Sequence, residues 1–240
     1  STLEGQVIFP LLNPTEHGLV SETQVLEKLR DNPHYLAEFV AAFGPQGEPI
    51  TTNRFTGAIT AYMRSLDPGT SAFDRYLVAR APDTMSAEAV RGLKIFEGRA
   101  GCSGCHLTSG SRAPLTDNRF HLGVTSQYDA SARLKNVTSL LAAKNERERD
   151  ALISSDPAVA ALGRYVVTLN PKDIGRFRTP SLRNVALTAP YMHDGSIKSL
   201  EDAIEWELYA RGPEPGQVIV LTREERIWLL RFLEALTGSP

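Results

Sequence analysis

The run Cys102-Ser103-Gly104-Cys105-His106 constrains this chain more than any other feature. Two thiols three residues apart can each add across a vinyl group of one porphyrin. The imidazole that follows then lies beneath the iron as an axial ligand. A redox CxxC pair would need a βαβ context. A zinc site would need two further ligands, and the chain has only 2 cysteines. The motif therefore reads as one covalent haem c, attached through Cys102 and Cys105 with His106 as proximal ligand. Its flanks agree. Ser86 starts a helix with Val90, Leu93 and Phe96 facing inward, which runs into Gly101, and the stretch from Leu107 to Gly123 is loop-like.

Helical periodicity extends through most of the rest. Ser21 and Gln24 form a capping box before Val25, Leu26 and Leu29. Asn32 caps a helix with Pro33 at its first position, an apolar face of Leu36, Phe39, Val40 and Phe43, and Gly44 at its end. Phe55, Ile59, Tyr62 and Leu66 share the next stripe, and a short helix spans 72–79. Asp156-Pro157 opens a helix expected to run through Leu169, whereas 170–196 is rich in Pro, Gly and Asn without a helical period. Ser199 with Asp202, and Thr222 with Glu225, start the last two helices, the final one carrying Trp228, Leu229, Phe232, Leu233 and Leu236. Asn145 to Asp150 is a charge run on a solvated helix face. Period-2 strands are absent. The expected class is all-α, with cytochrome c-like haem domains and long irregular loops. Ala81-Pro82-Asp83 reads as a linker that divides 1–83 from 84–240.

A formal net charge of −2 leaves no cationic excess to neutralise phosphates, which excludes nucleic acid as a partner. No apolar run approaches the roughly 20 residues that span a bilayer. The chain opens at Ser1 without a charged-then-apolar leader, so a secretion signal is expected to have been removed, or the start is internal.

The chain resembles the bacterial di-haem cytochrome c peroxidase family, which includes MauG-like enzymes. The resemblance is carried by 89–106, by "DNRFHLGV" at 117–124 and above all by "GRFRTPSLRNVALTAPYMHDGSIKSLEDAIEWE" at 175–207. "STLEGQVIFPLLNPTEHG" at 1–18 is similar to the segment that follows the family's first haem motif. Members of the family carry two CxxCH motifs, and this sequence matches only the second. It also has no counterpart of the tryptophan that stands between the haems. The resemblance thus implies the end of a peroxidatic haem domain over 1–83, a complete C-terminal haem domain over 84–240, and a second haem c on a segment outside this chain. A mono-haem offshoot is the other reading.

What the resemblance implies can be written residue by residue. Glu16 matches the distal glutamate, with Gln6 and Pro10 lining the same pocket. A carboxylate there suits the task, because peroxide must lose a proton from one oxygen and gain one on the leaving oxygen. His17 is a second candidate. For the sixth ligand of the haem on His106, ungapped counting from "APYMHDG" puts the family's Met or Tyr position on Glu207. Tyr209 comes next, in a Tyr-x-Arg-Gly run displaced by two residues, then Met192; His193 and His121 rank below them. Residues two apart on one helix point about 200° apart, so Glu207 and Tyr209 cannot both face the iron. Arg176, Arg178 and Arg183 suit haem propionates, and His121 is expected near the haem edge. Thr188 and Pro190 match positions whose carbonyls hold calcium, a hard cation that takes oxygen ligands. His34 reads as a surface residue, and Trp206 and Trp228 as core.

The implied activity is reduction of hydrogen peroxide, with electrons relayed through the C-terminal haem from a small donor, a cytochrome c or a cupredoxin. The alternatives are MauG-like oxidation of residues on a partner protein and a mono-haem electron-transfer cytochrome without catalysis. Haem attachment on the export side implies the periplasm, and a homodimer is compatible with the family.

Overall fold

Side-chain caps set most of the helix starts. In the computed structural model, which describes residues 2–14, 16–79, 82–110, 112–123, 137–211 and 218–239, Thr2, Ser21, Asn32, Thr51, Ser86, Ser199 and Thr222 each accept a hydrogen bond from a first-turn N–H. They open α1 (Leu3–Leu12), α2 (Glu22–Arg30), α3 (Pro33–Phe43), α4 (Thr52–Ser65), α6 (Ala87–Glu97), α10 (Leu200–Ala210) and α11 (Arg223–Glu234), while α5 (Ala72–Ala79) and α7 (Glu146–Ser155) lie between them. The Thr222–Glu225 capping box is complete. At Ser21 the box is half made, because Gln24 Oε1 accepts from the N–H of Val20 instead.

The helix expected from Pro157 through Leu169 is two single turns, α8 (Pro157–Ala160) and α9 (Tyr165–Thr168). Gly163 breaks it at φ 55°, where a Cβ would meet Arg176 O at 2.4 Å. Strands do occur, at two or three residues each: β1 (Thr70–Ser71) pairs with β4 (Gly238–Ser239), and β2 (Phe120–Leu122) with β3 (Arg176–Arg178), both antiparallel. Such short ladders leave no readable alternation. Among the described residues no helix is long and apolar enough to cross a membrane.

The chain forms two compact units, 1–67 with 145–155, and 68–144 with 156–240. α5, which precedes the Ala81–Asp83 segment in the chain, belongs to the second unit, because its Phe73 packs edge-on against Phe232 at 5.3 Å in that unit's core. That core is built on α6 and α11, and Phe96 also meets Phe232, at 5.0 Å. A Cβ on Gly92 would lie 1.9 Å from Trp228 O, so the α6–α11 crossing is a backbone-to-backbone approach that only glycine permits. Asp74 holds α5 to the rest. Its carboxylate accepts from Ser71 N (2.9 Å), Ser71 Oγ (2.8 Å) and both terminal nitrogens of Arg183 (2.8 and 2.9 Å), and Arg183 also reaches Ala113 O at 2.7 Å.

The first unit is thinner. Among the described residues, its buried apolar ones are Val25, Leu26, Ile50 and Phe55. Neither α1 nor α3 has a buried residue. On α4 the stripe beyond Phe55 is exposed, Ile59 at 37%, Tyr62 at 64% and Leu66 at 58%, while Thr56 and Thr60 are buried and hydrogen-bond back to the helix. The apolar periodicity is real, but it does not face inward here. Ala81, Val124, Gly212 and Thr15 of the sequence motifs lie outside the described residues.

Candidate functional site

α6 leads directly into the haem motif. Gly101 turns the chain at φ 65° into the single 3-10 turn Cys102–Gly104, and the His106 N–H donates to Cys102 O at 2.9 Å. The three motif side chains therefore spring from one turn, backed by Phe96, whose ring lies 6.4 Å from that of His106. His106 Nδ1 stands 3.0 Å from Leu115 O. A carbonyl only accepts, so Nδ1 carries the proton and Nε2 keeps the lone pair for a metal. Leu115 is fully buried at φ 53°, which fixes that carbonyl. Burial lowers the His106 pKa and keeps the imidazole in its neutral, ligating form.

The two thiols are unpaired as a disulfide and half-buried. Cys102 is pushed up to about 12, by burial first and by the Glu207 charge second, and burial raises Cys105. A redox pair would need at least one thiol stabilised as thiolate, so this environment speaks against it. Apolar side chains stand open beside the motif, Leu107 at 38% and Leu122 at 44% exposure. Paired thiols on one turn, an imidazole fixed through Nδ1 and uncovered apolar surface fit a covalent haem.

Around the motif, α10 places Glu207 and Arg211 together as an ion pair, and their charges reach Cys102, Cys105 and His106. Tyr209 points elsewhere: it is 55% exposed and its ring meets that of Trp206, at 6.3 Å. Trp206, expected in the core, is 39% exposed, since it falls on the helix face opposite Leu200, Ile204 and Leu208. Trp228 is half-buried under Arg91, whose guanidinium lies 4.9 Å from the ring. Met192 is half-buried at φ 69°, in a turn closed by the Tyr191–Ile197 bridge, and His193 stacks on Phe177 at 4.3 Å.

His121 Nε2 contacts Asp117 Oδ2 at 2.7 Å, and with Cys105 these donors lie within 4.8 Å of one another. Asp117 is held below the usual carboxylate range by the Arg119 N–H and by His121. Arg176 donates to Lys172 O (2.8 Å) and Phe120 O (3.1 Å). Arg178 and Arg164 lie over the Phe120 ring, at 5.3 and 4.3 Å. Arg183, read from sequence as a propionate partner, is instead engaged by Asp74 and Ala113 O inside the second unit. Thr188 and Pro190 sit on an exposed loop. Sequence reasoning missed Leu115, Asp117 and Arg211. A backbone carbonyl leaves no sequence signature, but Asp117 and His121, four residues apart in one motif, could have been paired.

In the first unit, Gln6, Phe9 and Pro10 form an exposed i, i+3, i+4 stripe on α1. The turn after it folds back. The His17 N–H donates to Pro10 O (3.3 Å), and Glu16 accepts from Asn13 Nδ2 at 2.8 Å. The structure thus brings Glu16 to the end of the helix that carries Gln6 and Pro10. His17 and His34 are exposed.

The chain is similar to several known proteins. Residues 1–81 match the family described as di-haem cytochrome c peroxidase. The chain is 37% identical over 221 residues to the cytochrome-c peroxidase IdrP1 of Denitromonas iodatirespirans, covering 88% of this chain and 56% of that protein. It is 31% identical over 245 residues to the methylamine utilization protein MauG of Methylorubrum extorquens, covering 100% and 59%. The crystal structure of a MauG-like protein associated with microbial copper homeostasis superposes with a TM-score of 0.71 at 30% identity, over 99% of this chain and 69% of that one. The chain spans little more than half the length of the curated relatives it matches. With its cytochrome c-like, all-α fold and its CxxCH turn, the chain belongs to the di-haem cytochrome c peroxidase/MauG-like family.

Proposed function

We propose that the protein of which this chain forms part reduces hydrogen peroxide to water, with electrons delivered through the haem c on Cys102, Cys105 and His106. The observation that carries the reading is the pairing, in one chain, of that haem turn with an open stripe of Gln6 and Pro10 that ends at Glu16. When bound, haem c supplies reversible one-electron storage at its iron. His106 holds it through Nε2, with Leu115 O fixing the ring. Reduction of peroxide takes two electrons and two protons and yields two waters. Glu16 is the group that accepts a proton from one oxygen and returns it to the other, with Asn13 Nδ2 orienting its carboxylate. Gln6 and Pro10 shape the wall beside it. A second haem c, on a segment outside this chain, completes that pocket.

Glu207 is our choice as the further residue that would hold the haem on the CxxCH turn, since its charge acts on all three motif residues while Tyr209 lies on the outer face. His121 and Arg178 would border the haem, the carbonyls of Thr188 and Pro190 would take calcium, and the compartment we assign is the periplasm. The donor is a small cytochrome c or cupredoxin.

The test is a pyridine haemochrome count with intact mass on the native protein, followed by peroxide turnover of Glu16→Gln. Two haems per molecule and a loss of about 10²–10⁴-fold in turnover, with the His106 haem spectrum unchanged, are expected. One haem on a 26.3 kDa chain would leave an electron-transfer cytochrome as the better account.

A further inference from the structure

We propose that the outward face of α10 is where the protein docks its electron donor, and that this donor is a small redox protein presenting a basic surface. The inference rests on the reading above, that the His106 haem is loaded with electrons from outside. The helix is sharply two-sided. Leu200, Ala203, Ile204 and Leu208 are buried, while Glu201, Asp202, Glu205, Trp206 and Tyr209 are exposed. Single exposed aliphatics such as Val167 and Leu187 occur elsewhere on this unit and are ordinary surface. Trp206 and Tyr209 differ in kind. They are two large aromatic rings, 39% and 55% exposed, in edge contact at 6.3 Å on one helix face. Aromatic side chains of this sort are enriched at the centres of protein interfaces, where they supply area at little cost in side-chain entropy.

Charge gives the face its partner. α10 carries four acids and no basic residue; of the outward three, Glu205 pairs with Arg226 at 2.9 Å, Asp202 accepts from Ser199 Oγ at 2.7 Å, and the Glu201 charge acts on Arg231. An acidic surround steers a basic partner and disfavours an acidic one. The face belongs to the helix that also carries Glu207. Glu207 follows Trp206 directly in the chain, and its charge reaches Cys102 and His106. A donor seated on Trp206 therefore sits on the outer side of the helix whose Glu207 charge acts on the CxxCH turn. In the exchange, the donor's reduced metal centre would give up one electron, taken up by the haem that Cys102, Cys105 and His106 would hold. No atom or proton changes hands at the rings, which serve as contact area.

The test uses the full-length holoprotein, titrated by calorimetry with a lysine-rich c-type cytochrome at low and high ionic strength. The unmodified protein binds it, and salt weakens the binding. Trp206→Ala raises Kd about tenfold or more, and Trp206→Phe restores most of the loss. Glu201→Lys raises Kd several-fold at low salt, and its effect shrinks at high salt. Failure of the unmodified protein to bind the cytochrome, or an unchanged Kd in Trp206→Ala, overturns the proposal. So does Trp206→Ala altering only self-association, which would make the face a contact between copies. Peroxide turnover of the unmodified protein with ferrocyanide separates the two levels. If turnover is absent, the peroxidase reading fails; if it is present while Trp206→Ala leaves Kd unmoved, only the docking face fails.

Discussion

The two units are built from the same helical vocabulary and bury very different amounts of it. In the second, α6 and α11 meet at backbone distance over Gly92, three phenylalanines interlock, and a buried ion pair ties in α5. In the first, α1 and α3 have no buried residue, although their sequences, LEGQVIFPLL and PHYLAEFVAAF, are more apolar than that of α11. Apolar character alone therefore does not place a helix inside. A partner surface must exist, and the second unit provides its own. The residues proposed for peroxide chemistry lie in the unit whose apolar stripes stay open.

The comparison can be broken most readily at the second unit's crossing. Gly92→Ala puts a methyl into Trp228 O and should cost about 3 kcal/mol or more. Phe96→Ala should cost about 3–5 kcal/mol, and because Phe96 backs His106 it should also broaden the haem spectrum. Both losses should appear as faster hydrogen exchange in α6 and α11, with α2 and α4 unchanged. Protection lost equally in both units would mean that they unfold as one.

Asp74→Asn comes next. Burial alone would raise this carboxyl, but hydrogen bonds from Arg183 and Ser71 outweigh it and hold the pKa well below the ordinary range. Removing the charge leaves Arg183, 13% exposed, without its partner, a loss of about 3–5 kcal/mol. The sign with pH follows. A depressed folded pKa contributes stability that is fully present above the unfolded value of about 4 and is lost as pH falls below it. Acid titration followed by exchange in α5 and α11 should show that loss in the native chain and a flatter profile in the variant.

How much of this was legible depends on where the determinant sits. CxxCH, the caps at Asn32, Ser86, Ser199 and Thr222, and the inward faces of α6 and α11 are written in side chains at fixed spacing, and the structure bears out the caps and the faces. The break at Gly163 was not readable, because it depends on Arg176 O arriving from thirteen residues away. Nor was the outward turn of Ile59, Tyr62 and Leu66: periodicity tells which residues share a face and is silent on what the face meets. Arg183 looked like a ligand for anions because Asp74, its partner, is remote in sequence. At the CxxCH turn the motif was legible and the support of its imidazole was not, since Leu115 contributes only a carbonyl.

Smaller effects sharpen the contrast. Ser86→Ala and Ser21→Ala remove equivalent caps, one in each unit, and each should cost about 1 kcal/mol. Equal losses would show that local helix chemistry is the same on both sides and that packing alone separates the units. The smallest effect is expected at the open stripe. Tyr62→Ser and Leu66→Ser replace side chains that are 64% and 58% exposed, so in this chain each should fall within about 0.5 kcal/mol of neutral. Chemical denaturation of the two variants checks this directly. A loss of the size expected for Phe96→Ala would mean that these residues are packed in solution, and the first unit would then have the inward face that its exposed stripe denies it.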